Sequence, residues 1–95
     1  MKYFGGTVET DDCKEAEAIL RRRLGQNLTA LRNLTGKNRE EVVRDIEGLT
    51  ADTLRNYELG NSAITYCNAW RLADFYSVPI GALGGRIAYE PVDVA

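Results

Sequence analysis

Residues 38–60 read NREEVVRDIEGLTADTLRNYELG, and this stretch predicts two short helices joined by a tight turn. Asn38 is a favoured residue before a first helical turn, and Gly48 marks the end of that helix. Thr50 caps the second helix, and Gly60 suits the left-handed residue that ends it. Two short helices around a glycine-containing turn are typical of a helix-turn-helix motif.

The second predicted helix has one apolar face and one polar face. Leu54 and Tyr57 lie three residues apart and point inward, whereas Ala51, Asp52, Arg55 and Asn56 point away from any core. A helix that enters the DNA major groove has to be short, expose its first turns and be held by apolar residues on its back. The pattern therefore favours DNA recognition by this helix.

Further helices are expected on both sides of this stretch. Residues 12–35 carry apolar residues at three- and four-residue spacing, and Gly25 is expected to divide the run into two helices. A helix over 64–76 offers Tyr66 and Trp70 to the core or to a dimer interface, and a very short helix ends near residue 83. The expected core includes Leu28, Leu31, Val42, Ile46, Leu54, Tyr57, Leu72, Ala73 and Leu83.

The two ends of the chain differ from its middle. Residues 2–8 and 86–92 are β-prone and would pair with each other or with a second subunit. We therefore divide the chain into an N-terminal extension (1–23, a short strand plus helix), a helix-turn-helix domain (24–83) and a C-terminal extension (84–95).

Composition excludes several classes of protein. Ninety-five residues suffice for one domain, and no apolar run suits a signal peptide or a membrane span. Cys13 and Cys67 show no metal-binding spacing and are expected to be reduced thiols in the cytoplasm. The chain has no histidine, so no catalytic residue, metal site or cofactor is expected, and the protein is not expected to be an enzyme.

Charge is distributed unevenly around a net value of −2. Residues 20–39 carry six basic residues and no acidic one, whereas residues 40–62 have a net charge of −4. A polyanion responds to the local field, so the basic block favours nucleic-acid binding. Its run Arg21, Arg22 and Arg23 is equally consistent with a solvated surface and with a contact to phosphate or a partner.

From about residue 24 to residue 83, the sequence resembles the Cro/C1-type (XRE family) helix-turn-helix domain of phage repressors and bacterial regulators. The resemblance is carried by LGQNLTALRNLTG, NREEVV, GLTADTLRNYELG and RLADFYSVPIGAL, in that order. It implies a mainly all-α, five-helix lambda-repressor-like fold, with residues 50–58 as the recognition helix. It also implies a cytoplasmic transcriptional regulator that binds double-stranded DNA as a homodimer, with no membrane association and no evident small-molecule effector.

The resemblance also assigns roles to individual residues. Arg32 and Glu58 would form an ion pair that ties the first helix to the recognition helix. Asn56 would bind adenine, and Asp52 would accept a hydrogen bond from cytosine or simply complement the helix dipole. The expected DNA-binding residues are Asn38, Arg39, Thr50, Ala51, Asp52, Thr53, Arg55, Asn56 and Asn61.

A second function stays open at this point. The same helical scaffold could be a protein-interaction module with weak or no DNA binding, because fold alone does not fix function. The acidic second and third helices favour this alternative, whereas the basic block and the polar face of 50–58 favour DNA.

Overall fold

The computed structural model describes residues 8–85, together with the backbone of 2–3 and 87–88. Most of this part of the chain is helical. The elements, in chain order, are β1 (Lys2–Tyr3), α1 (Cys13–Thr35), α2 (Arg39–Arg44), α3 (Ala51–Glu58), α4 (Tyr66–Tyr76), a 3-10 helix (Ile80–Gly84) and β2 (Ile87–Ala88). Among the described helices, none combines the length and apolar character required to cross a membrane.

Helix α1 is continuous, so the prediction that Gly25 divides it is wrong. Gly25 instead allows α1 and α3 to approach closely. A Cβ atom at this position would lie 2.7 Å from the carbonyl oxygen of Tyr57 and closer still to that of Glu58. The helix also runs without a break through the domain boundary predicted between residues 23 and 24.

The starts of α2 and α3 and the end of α3 follow from caps that the sequence predicts, whereas α2 ends at Arg44, before the end predicted at Gly48. The Asn38 side chain accepts a hydrogen bond from the backbone of Glu41, whose carboxylate accepts one from the Asn38 backbone, which completes a capping box. Thr50 caps α3, and Gly60 follows that helix with a φ of 74°. A left-handed residue at this position turns the chain away toward α4.

The core lies between the inner faces of α1, α2, α3 and α4 and the 3-10 helix. All nine residues expected in it are buried, which confirms the predicted periodicity. Tyr66 and Trp70 are exposed. Of the two locations predicted for them, the core is therefore wrong, and the dimer interface stays a prediction. They lie at the edge of the face that buries Ala69, Leu72 and Ala73, since Tyr66 precedes Ala69 by three residues and Trp70 precedes Ala73 by three.

A buried asparagine joins α1 to the 3-10 helix. The Asn27 side-chain amide donates to the carbonyl oxygens of Leu83 at 2.7 Å and of Gly85 at 2.9 Å. These bonds satisfy carbonyl groups at the end of the 3-10 helix, which have no partner within the helix itself. Sequence reasoning missed Asn27, because a polar residue on an apolar helical face gives no sign of its distant partner.

The described strands pair with each other, which was one of the two predicted arrangements. They form an antiparallel pair in which Lys2 lies opposite Ala88 and Tyr3 opposite Ile87. Within the β-prone segments 2–8 and 86–92, the structure describes residues 2–3, Val8 and residues 87–88, and the other residues of these segments lie outside the described part of the chain.

Candidate nucleic-acid interface

Helix α3 presents its polar face to the outside and is fixed from behind. Leu54 and Tyr57 are buried, and the Tyr57 hydroxyl accepts a hydrogen bond of 2.9 Å from the Asn68 side chain on α4. On the outer side, Asp52 and Arg55 are exposed, and Ala51 and Asn56 are partly exposed. The helix is thus rigidly seated while the side chains predicted to contact bases remain accessible.

The first turns of α2 and α3 open into one shallow cleft of about 670 Å³. Five of the predicted DNA-binding residues line it, and they come from two helices that are separated in sequence by the turn. The lining residues are Arg32, Asn38, Arg39, Glu40, Ala51, Asp52 and Arg55.

The other predicted DNA-binding residues lie outside the lining of this cleft. The Thr50 hydroxyl donates to the Thr53 hydroxyl at 2.8 Å and accepts from the Thr53 backbone at 3.1 Å, so both side chains serve the start of α3. Asn56 is partly exposed, and its carbonyl oxygen accepts a hydrogen bond of 2.9 Å from the backbone of exposed Asn61. Asn61 therefore lies beside the last turn of α3.

A buried carboxylate connects α1, α2 and α3. Glu58, whose side chain is 1% exposed, accepts from Arg32 Nε at 2.8 Å and from Arg32 Nη2 at 3.1 Å. This ion pair confirms the contact predicted between Arg32 and Glu58. Hydrogen bonding to Glu58 raises the pKa of Arg32 above its usual range, against the smaller opposing effect of burial.

The same carboxylate also binds Arg39, which sequence reasoning missed. Arg39 Nε donates to Glu58 Oε1 at 3.0 Å, and the Arg39 side chain is 33% exposed. One acid thus holds two arginines, and the triad of Arg32, Glu58 and Arg39 carries one net positive charge. Since Nε is engaged, the two Nη groups are the donors that Arg39 has for a ligand in the cleft.

The charges around the cleft are balanced. Arg32, Arg39 and Arg55 face Glu40, Asp52 and Glu58, so the formal sum is zero. A neutral surface attracts a polyanion only weakly from a distance. Any affinity for DNA would therefore depend on directed hydrogen bonds more than on unspecific charge.

The basic block of residues 20–39 does not form one patch. Arg32 and Arg39 line the cleft, whereas Arg21 lines a different groove and is separated from Arg32 by about 16 Å along α1, at 1.5 Å per residue. The Lys37 ammonium lies 5.2 Å from the centre of the Phe75 ring, where it links the loop before α2 to α4.

The described residues hold no cluster of His, Cys, Asp and Glu side chains that could bind a metal ion. Cys13 and Cys67 are both exposed free thiols. Neither a protein-family model, nor a curated protein, nor a solved structure matches this chain.

Proposed function

We propose that this chain is a sequence-specific DNA-binding transcriptional regulator of the Cro/C1 type, with a five-helix lambda-repressor-like domain that places α3 in the major groove. The observation that carries the proposal is the shared cleft at the first turns of α2 and α3. A helix-turn-helix uses this geometry, in which the second helix reads bases while the first contacts the backbone.

Within this proposal, α3 supplies the contacts that distinguish sequences. Asn56 suits bidentate hydrogen bonding to adenine, and exposed Arg55 suits guanine. Asp52 would accept from the amino group of cytosine, and without such a partner its charge would repel the phosphates. The acidic residue on the exposed face of α3 thus lowers the affinity for DNA of any sequence and increases the discrimination against sites that lack the matching base.

Arg39 would supply the contact to the phosphate backbone. Glu58 fixes its Nε at 3.0 Å and so limits the directions in which the guanidinium group can point. The remaining Nη donors would reach a phosphate at the edge of the major groove, which positions α3 without reading sequence. Arg39 would therefore have two roles, one within the fold and one toward DNA.

The regulator would act as a homodimer in the cytoplasm, with no catalytic activity and no small-molecule effector. One short reading helix contacts few base pairs, and two copies on a two-fold site double the number of specific contacts. The absence of histidine from the chain is consistent with a binding function.

Selection of binding sites from random duplex DNA tests the proposal. The expected result is an enriched two-fold site that the protein binds at least about a thousandfold more tightly than unrelated DNA at the same salt concentration. The charge-balanced cleft also predicts weak binding to unrelated DNA. No enriched sequence, with equal affinity for all duplexes, would contradict the proposal and favour the protein-interaction module.

A further inference from the structure

A second concave surface lies at the other end of α1 from the cleft. It is a groove of about 520 Å³ between the first half of α1, the start of α4 and the 3-10 helix. Buried Leu24 and Leu83 form its floor, and exposed Leu20 and Ile80 lie on its walls. We call this surface the α1–α4 groove.

Two aromatic side chains extend the apolar surface of the α1–α4 groove. Tyr66 lines it and is 90% exposed, and Trp70, one turn later on the same face of α4, is 60% exposed. Tyrosine and tryptophan are the apolar residues most enriched among the energetically dominant residues of protein interfaces. Such exposure of both, beside an apolar groove, indicates a surface that is covered by a protein partner.

The charged residues of the groove indicate which partner covers it. Glu17 and Arg21 are four residues apart on α1, and both line the groove. Arg21 Nε is buried and has no hydrogen-bond partner. A two-fold interface brings the same patch of two copies together, so a patch with adjacent opposite charges can be complementary to itself. Glu17 of each copy would then lie opposite Arg21 of the other.

The position of the groove also fits the spacing of a two-fold DNA site. Arg21 and Arg32 are eleven residues apart on α1, which places the cleft about 16 Å from the groove along the helix. With their α1 helices end to end about the two-fold axis, two copies joined at the groove would separate their clefts by roughly twice that distance. Half-sites one helical turn apart require about 34 Å.

We propose that the α1–α4 groove is the dimer interface of this protein and that its partner is a second copy of the chain, with Glu17 and Arg21 paired reciprocally across the two-fold axis. The agreement with the half-site spacing rests on the proposed DNA-binding function, whereas the apolar and charged surfaces are observed independently of it. Dimerisation is therefore tested without DNA.

Sedimentation equilibrium of four single variants tests the apolar contacts. Tyr66→Ser and Trp70→Ser should each weaken dimerisation at least about tenfold, because aromatic anchors dominate interface energies. Leu34→Ser and Leu59→Ser are matched controls, since both residues are exposed and neither lines the groove. The controls should dimerise like the unmodified chain, and equal loss in all four variants would overturn the proposal.

Charge reversal tests the two-fold pairing itself. Glu17→Arg places two arginines opposite each other, and Arg21→Glu places two carboxylates opposite each other, so each variant alone should be monomeric. A mixture of the two restores both attractive pairs and should form a heterodimer. Circular dichroism of each variant confirms that it is folded.

The possible outcomes separate this inference from the proposed function. Heterodimers from the charge-reversed mixture support the groove as the interface even if no DNA site is enriched. Conversely, a chain that binds a two-fold site while the Tyr66→Ser and Trp70→Ser variants dimerise normally would exclude the groove and leave the DNA-binding proposal standing. An unmodified chain that stays monomeric at high micromolar concentration would also overturn the inference.

Discussion

Replacing Glu58 with glutamine should destabilise the fold more than the corresponding replacement of any other carboxylate by its amide in the described part of the chain. The Glu58 side chain is 1% exposed and accepts hydrogen bonds from Arg32 Nε, Arg32 Nη2 and Arg39 Nε. Glutamine keeps the shape but removes the charge. It also turns an amide donor toward one of these guanidinium groups.

The size of the effect follows from burial. The Arg32 side chain is only 15% exposed, so loss of its counter-charge leaves a largely desolvated guanidinium group without full compensation. Breaking a buried ion pair costs about 3–5 kcal/mol, and the oxygen that glutamine retains recovers part of this. The Arg39 side chain is 33% exposed, so its attraction to Glu58 is screened by water and contributes less to the loss. We therefore expect a loss of about 2–3 kcal/mol in the free energy of unfolding.

Urea denaturation followed by circular dichroism measures this loss. For a small domain that unfolds in two states, a change of 2–3 kcal/mol lowers the urea midpoint by about 1–3 M with an unchanged slope. Glu47→Gln is the matched control, because Glu47 is exposed and lies outside the helices. If Glu58→Gln shifts the midpoint no more than Glu47→Gln, the carboxylate does not join α1, α2 and α3 in the way described.

Three further substitutions test other parts of the structure. Gly25→Ala should lower the free energy of unfolding by about 1–3 kcal/mol in urea denaturation, because its Cβ would meet the α3 backbone, whereas Gly81→Ala, with open space around it, should change little. Burial, followed by the charge of Glu58, raises the pKa of Tyr76, whose hydroxyl is buried without a partner. Its contribution to stability is therefore intact below the unfolded tyrosine pKa of about 10 and is lost at higher pH, so Tyr76→Phe should remove part of the alkaline decline in unfolding free energy. Asp52→Ala should weaken binding to the selected DNA site in a titration at fixed salt, whereas an equal or higher affinity would show that Asp52 only complements the helix dipole.

Local signals in the sequence predicted the helices and the core well. Helix caps depend on contacts within a few residues, so the helix limits set by Asn38, Thr50 and Gly60 can be predicted from the neighbouring sequence. The spacing of apolar residues likewise predicted buried residues such as Leu28 and Leu54, because the period of about 3.6 residues per turn alone shows which residues share a helical face.

Features that depend on distant contacts were missed. Gly25 has a poor helix propensity, yet close packing against α3 keeps it within α1. The hydrogen-bond partners of Asn27 lie 55 to 58 residues away in the chain and that of Arg39 lies 19 residues away, and neither residue type indicates such a distant partner. Trp70 could have faced inward or outward on α4, and only the packing of the neighbouring helices decides between the two.

The most direct test of the account compares Asn56→Ala with Arg39→Ala on the selected DNA site and on variants of that site at each base pair. Titrations are carried out over a range of salt concentrations. If α3 reads bases, Asn56→Ala should cost about 1–3 kcal/mol on the best site and remove the preference at one base pair, with an unchanged salt dependence. Arg39→Ala should weaken binding to all sequences alike and reduce the salt slope by about one. Equal, sequence-independent losses for both variants, or no loss for Asn56→Ala, would contradict the claim that α3 is a recognition helix.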